Sequence, residues 1–127
     1  MKTDKQTVAT AEESLSPPLE VGHCLRPLRE RLASLMDKVN HRVQLEGLEP
    51  DDCVLERRGR FRFRGEEDHI EAPIDGLADR AVFLKPFLKK HLERFGASDS
   101  TRPVEVIALM ILAVRAPDFP PHRTAPV

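Results

Sequence analysis

Apolar residues recur along this chain with two different periods. Leu25, Leu28, Leu32, Leu35, Met36, Val39 and Val43 return at steps of three and four. At 100° per residue they gather in one stripe about 100° wide, with Glu30, Ser34, Asp37, Lys38 and His41 opposite. Pro27 suits a first helical turn, Gly47 supplies a left-handed stop and Pro50 forbids resumption, so the spacing predicts a helix over about 26 to 46. From 53 to 74 the period changes to two. Cys53-Val54-Leu55-Glu56-Arg57, Arg60-Phe61-Arg62-Phe63-Arg64 and His69-Ile70-Glu71-Ala72 read as strands, with Arg58-Gly59 and Gly65-Glu66-Glu67-Asp68 at turn positions. They predict a three-stranded antiparallel meander closed by Pro73.

Asp75 suits the N-cap of a short helix over 76 to 84, and Pro86 disfavours helical geometry at Lys85. A second segment over 86 to 95 stops at Gly96, and one kinked helix is equally compatible. Pro103 then opens a last predicted helix that ends near Arg115. On a helical wheel Val104, Ile107, Ala108 and Ile111 share one face, while Val106, Leu109, Met110 and Ala113 share the other. A helix apolar all round is covered on both sides, by its own domain or by a second copy of the chain.

The expected fold class is therefore α+β: an N-terminal amphipathic helix, a three-stranded antiparallel meander, then two to three C-terminal helices packed on one face. Residues 1–20 are polar, lack periodicity and end in Pro17-Pro18, which predicts a disordered N-terminal arm. Residues 21–116 form the single α+β domain, and 117–127, with Pro117, Pro120, Pro121 and Pro126, form a Pro-rich C-terminal tail.

Composition narrows the function without naming it. Leu, Ile, Val and Phe make up 15, 4, 10 and 6 of the 127 residues, enough for one real core. Twenty basic residues against 21 acidic ones leave no whole-molecule field to draw in nucleic acid or membrane. The longest apolar run, Val106 to Val114, is far shorter than the about 20 residues of a membrane span. The first residues lack the apolar stretch of a secretory signal, and two isolated cysteines make no disulfide framework. The reading is cytoplasmic, with reduced thiols and no membrane association.

Local chemistry is concentrated in Arg57, Arg58, Arg60, Arg62 and Arg64. Strand alternation puts Phe61 and Phe63 on one face and Arg60, Arg62 and Arg64 on the other, about 7 Å apart, a spacing that side chains can match to successive phosphates. Glu56, Glu66, Glu67, Asp68 and Glu71 flank the run and offer the competing arrangement, pairing across the meander. Lys85, Lys89, Lys90 and Arg94 lie opposite Leu84, Leu88, Leu92 and Phe95 on the following helix. That is the ordinary solvated face, and Lys89 and Lys90 join an anion site only if they share a face with the arginines.

His69-Ile70-Glu71 matches the H-x-E half of a zinc deaminase site, but the P-C-x-x-C half is missing. His23, Cys24, Cys53 and His69 show no paired ligand spacing, so no metal and no cofactor are expected. No nucleophile signature is present, and Asp51-Asp52 after Pro50 reads as a turn.

The expected function is that of a small non-enzymatic adaptor or accessory protein. It binds another protein and self-associates as a homodimer through its apolar last helix, with Val106, Leu109, Met110 and Ala113 as partner-binding residues. The alternative is a nucleic-acid-binding accessory protein that uses the Arg-rich strand over 57–64 together with Lys89 and Lys90.

Overall fold

The structure, a computed structural model, describes residues 6–97, 99 and 101–115. The predicted C-terminal tail over 117–127 lies outside the described residues. Strand β1 (Gln6–Glu20) comes first, then helix α1 (Arg26–Leu45), a single 3-10 turn (Pro50–Asp52), strands β2 (Val54–Phe63) and β3 (Ile70–Pro73), helix α2 (Arg80–Phe95) and strand β4 (Val104–Arg115). The strands form one antiparallel sheet in the order β1-β4-β2-β3. Each helical connection therefore passes over a strand, β4 within the first and β2 within the second, in split β-α-β fashion.

This corrects the expected architecture in three places. The chain opens with a strand rather than a helix. Gln6–Glu20 pairs with β4 along most of its length, so the expected disordered arm over 1–20 is an edge strand from Gln6 onward. Its proline pair falls between Ser14 and Leu19, where the pairing shifts register, as prolines do on edge strands.

The second correction concerns Arg58-Gly59, expected as a turn, because β2 runs straight through both residues. A Cβ on Gly59 would stand 2.8 Å from the Phe61 ring, so glycine is needed there for an aromatic side chain to lie over the backbone. Only two strands of the expected meander remain, β2 and β3.

The third is the expected last helix. Val104–Arg115 is the central strand β4, paired with β1 on one side and β2 on the other. A β bulge opposite the Arg60/Phe61 step sets Ile107 out of register. An unbroken apolar run fits a strand covered on both faces as well as a buried helix, and its Val and Ile content favours the strand.

Helix α1 matches its sequence stripe, burying Leu28, Leu32, Leu35, Val39 and Val43 over β1 and β4. Asp79, not Asp75, caps α2 by accepting a hydrogen bond from the Val82 amide at 2.9 Å. Pro86 lies within this one helix, and Gly96 ends it at φ 76°. Phe83 and Phe87 seat α2 on β2: Phe61 lies 5.6 Å from Phe83, and Phe63 lies 5.2 Å from Phe87 between ring centres. Both helices share one core, so they cover the same face of the sheet.

Candidate functional site

Register assigns every sheet residue to a face. Phe61, Phe63, Val106, Leu109, Ile111 and Ala113 point to the helices and are fully buried. Val106, Leu109 and Ala113, expected to bind a partner, are thus the domain's own core. Met110 is the exception, since it lies on the opposite face in register with Glu12 and Arg58. The case for a homodimer rested on an all-round apolar helix, and that helix does not exist.

No helix covers the second face among the described residues, and long charged side chains roof it. Arg58 bonds Glu71 at 3.0 Å and Glu56 at 3.2 Å, and Arg60 bonds Glu12 at 3.0 Å. Arg62 bonds Glu105 at 3.0 Å, and Arg64 reaches Glu20 at 3.4 Å. Under this lattice Ala108 and Met110, in register with Arg60 and Arg58, are buried by arginine and glutamate stems. The Glu71 hydrogen bond, working against burial and joined by that of Glu56, pushes the Arg58 guanidinium above its ordinary range. Arg57 belongs to the other face, in register with Ile111.

Of the acids that flank the run, Glu56 and Glu71 pair with the arginines. The other partners, Glu12, Glu20 and Glu105, come from β1 and β4. With four guanidiniums engaged by carboxylates, this face is a ladder of internal ion pairs. Replacing Arg60, Arg62 and Arg64 together by Gln is expected to cost stability, about 1 to 3 kcal/mol for three paired sites. It should leave any weak nucleic-acid binding at 50 mM salt unchanged. A loss of two to three units in the salt slope on substitution would show instead that these arginines meet phosphates.

The lysines of α2 separate. Lys90 donates to the Glu71 carbonyl at 3.1 Å and Arg94 to the His69 carbonyl at 3.5 Å, so they guard the outer edge of β3. With Arg60 and His69 they border a shallow pocket of about 510 Å³ that also holds Glu71 and Glu93. Lys89 lies on another flank of the helix.

That flank holds the feature that sequence reasoning misread. The stripe Leu84, Leu88, Leu92 and Phe95 was expected to face inward. The buried side of α2 is instead Phe83, Leu84, Phe87 and His91, because three aromatic rings fix its rotation on β2. Leu92 and Phe95 are consequently 52% and 45% exposed. Beside α2, opposite the Lys90 and Arg94 side, runs a groove of about 850 Å³ lined by His23, Asp79, Arg80, Ala81, Leu84, Lys85, Leu88, Lys89 and Leu92. Its volume is within the range of ligand sites, about 300 to 1,000 Å³. Its floor is aliphatic, and its lip carries Arg80, Lys85 and Lys89, with Asp79 at one end.

His91 was also missed. Its Nδ1 donates to the Ala97 carbonyl at 2.8 Å, and its Nε2 stands 3.5 Å from the Glu66 carboxylate. Its ring packs on Phe63 at 4.6 Å. Arg102 holds Glu66 at 3.4 Å from the far side and stacks over Phe63. This cluster ties the end of α2 to the turn after β2, and so fixes the helix that carries the groove.

No group of side chains among the described residues could hold a metal ion. Cys24 and Cys53 are both free. Burial, with Asp52 adding to it, pushes the Cys53 thiol up from its ordinary value against the pull of Arg115. No helix among the described residues is long and apolar enough to cross a membrane.

No protein-family model and no curated protein sequence matches the chain. Among solved structures it is similar to a chain of acetone carboxylase in the nucleotide-free state, at 14% identity and a TM-score of 0.69. The likeness covers 89% of this chain and 18% of that one. At that identity it shows a shared fold alone. The class defined by fold and surface together is a small split β-α-β sheet domain with an apolar, cation-lipped groove on its second helix.

Proposed function

We propose that this chain is a non-enzymatic protein-binding domain, an adaptor or accessory factor, and that the groove beside α2 receives its partner. One observation supports this reading best. Leu92, one of the large apolar side chains left exposed among the described residues, lines the groove one turn from the half-buried Leu88, with Lys85 and Lys89 on its rim. Scattered apolar residues on a surface are ordinary, whereas an apolar strip rimmed by charge is typical of an interaction site. The two free thiols, Cys24 and Cys53, suit the reducing cytoplasm, which we propose as its compartment.

Leu92 is exposed enough for Leu92→Asp to change stability by no more than about 1 kcal/mol. The wild-type chain should retain a partner from an extract of its native host, and Leu92→Asp should lose it at least about tenfold while melting at the same temperature. Equal retention of that partner by both proteins would overturn the proposal.

A further inference from the structure

We infer that the occupant of the α2 groove is an acidic amphipathic α-helix of about three turns. The inference rests on the protein-docking reading above and adds the chemistry of the partner. Leu84, Leu88 and Leu92 repeat at every fourth position, with Leu84 buried at the floor, Leu88 half-buried and Leu92 exposed. Such a row is the ridge that interdigitates with the matching groove of a second helix in the commonest mode of helix packing. With the exposed Ala81 at its start, the row extends over eleven steps, about 16 Å at 1.5 Å per residue, which matches an apolar face repeating at i, i+4, i+7 and i+11 over about three turns.

Charge selects among helices. Lys85 and Lys89 stand one turn apart on the lip of the groove, and among the described residues neither ammonium makes an ion pair or a hydrogen bond. Their neighbours Lys90 and Arg94 are spent on the β3 edge. Between Arg80 and Phe95 the helix carries five basic residues and one acid, Glu93. A second copy of α2 laid in the groove would set lysines against lysines. A helix with Glu or Asp at i and i+4 beside its apolar face would set carboxylates against them.

Two synthetic helical peptides test this on the full chain by fluorescence anisotropy at 50 mM and 500 mM salt. Both share one leucine face, and one is flanked by glutamates, the other by lysines. The acidic peptide should bind about five- to tenfold more tightly at low salt, with most of that preference gone at high salt. Lys85→Glu combined with Lys89→Glu should reverse the preference, and Leu92→Asp should abolish binding of both peptides. If both bind equally and Leu92→Asp abolishes both, the groove docks helices but the acidic occupant is overturned. If the lysine-flanked peptide binds better, the acidic occupant is likewise overturned. If neither binds, the helical occupant falls, and retention of a native partner lost in Leu92→Asp shows whether the docking reading stands without it.

Discussion

A chain lacking residues 1–20 is expected not to fold. Strand β1 covers one whole edge of β4 and buries Ala9, Ala11 and Leu15 under α1, with Val8 and Leu19 packed against the same core. It is further tied to α1 by Arg31, which bonds Glu13 at 2.9 Å, and by Arg42, which donates to the Thr10 carbonyl. Deletion would strip these contacts, bare the central strand and leave Arg60 and Arg64 without Glu12 and Glu20. The combined loss is on the order of the whole stability of a small domain, about 5 to 15 kcal/mol. Circular dichroism and a thermal melt of the shortened chain would check it. A cooperative melt near that of the full protein would mean that β1 is dispensable, as the polar, proline-terminated sequence of the segment suggests.

The second large effect separates the two faces of β4. Leu109 is fully buried, opposite Gly59 in a central strand. Leu109→Glu places an unpaired carboxylate there and should destabilise by more than about 4 kcal/mol, enough to unfold a marginal domain. Ile107 sits out of register at the bulge and is half-buried, so Ile107→Glu should cost about 1 to 2 kcal/mol. On the helical wheel the order is reversed, with position 107 in the core and 109 on an outer face. Chemical denaturation of the two variants distinguishes the strand from the helix directly.

These two cases show where the sequence was legible. Helix α1 could be read because it covers the sheet with one face only and its leucine and valine stripe is undiluted. The alternation of Phe61 and Phe63 with the arginines could be read for the same reason, since one side meets the core and the other meets water and carboxylates. β4 lost its period because both of its faces are covered, one by helices and the other by arginine and glutamate stems, so its polar positions are filled by Ala108, Met110 and Leu112. β1 was hidden because an edge strand under a helix end needs only small residues such as Ala9 and Ala11, which carry little hydrophobic signal.

The groove was half legible. Its leucines and lysines stand out in the sequence at helical spacing, but which stripe of α2 turns inward depends on Phe83, Phe87 and His91 meeting Phe61 and Phe63, a tertiary contact. The acid partners of the arginines were legible only where they lie in the same hairpin. Glu12, Glu20 and Glu105 reach the ladder because β4 inserts between β1 and β2, an arrangement that local pattern does not encode.

The docking role of α2 is tested most directly by amide hydrogen exchange on the complex of this chain with its native partner, reconstituted from purified components and compared with the free protein. The account expects slowed amide exchange concentrated in residues 80–95, with β1 and the arginine-lined sheet face unchanged. Protection confined to β1 or to that sheet face, with α2 exchanging as in the free chain, would contradict it.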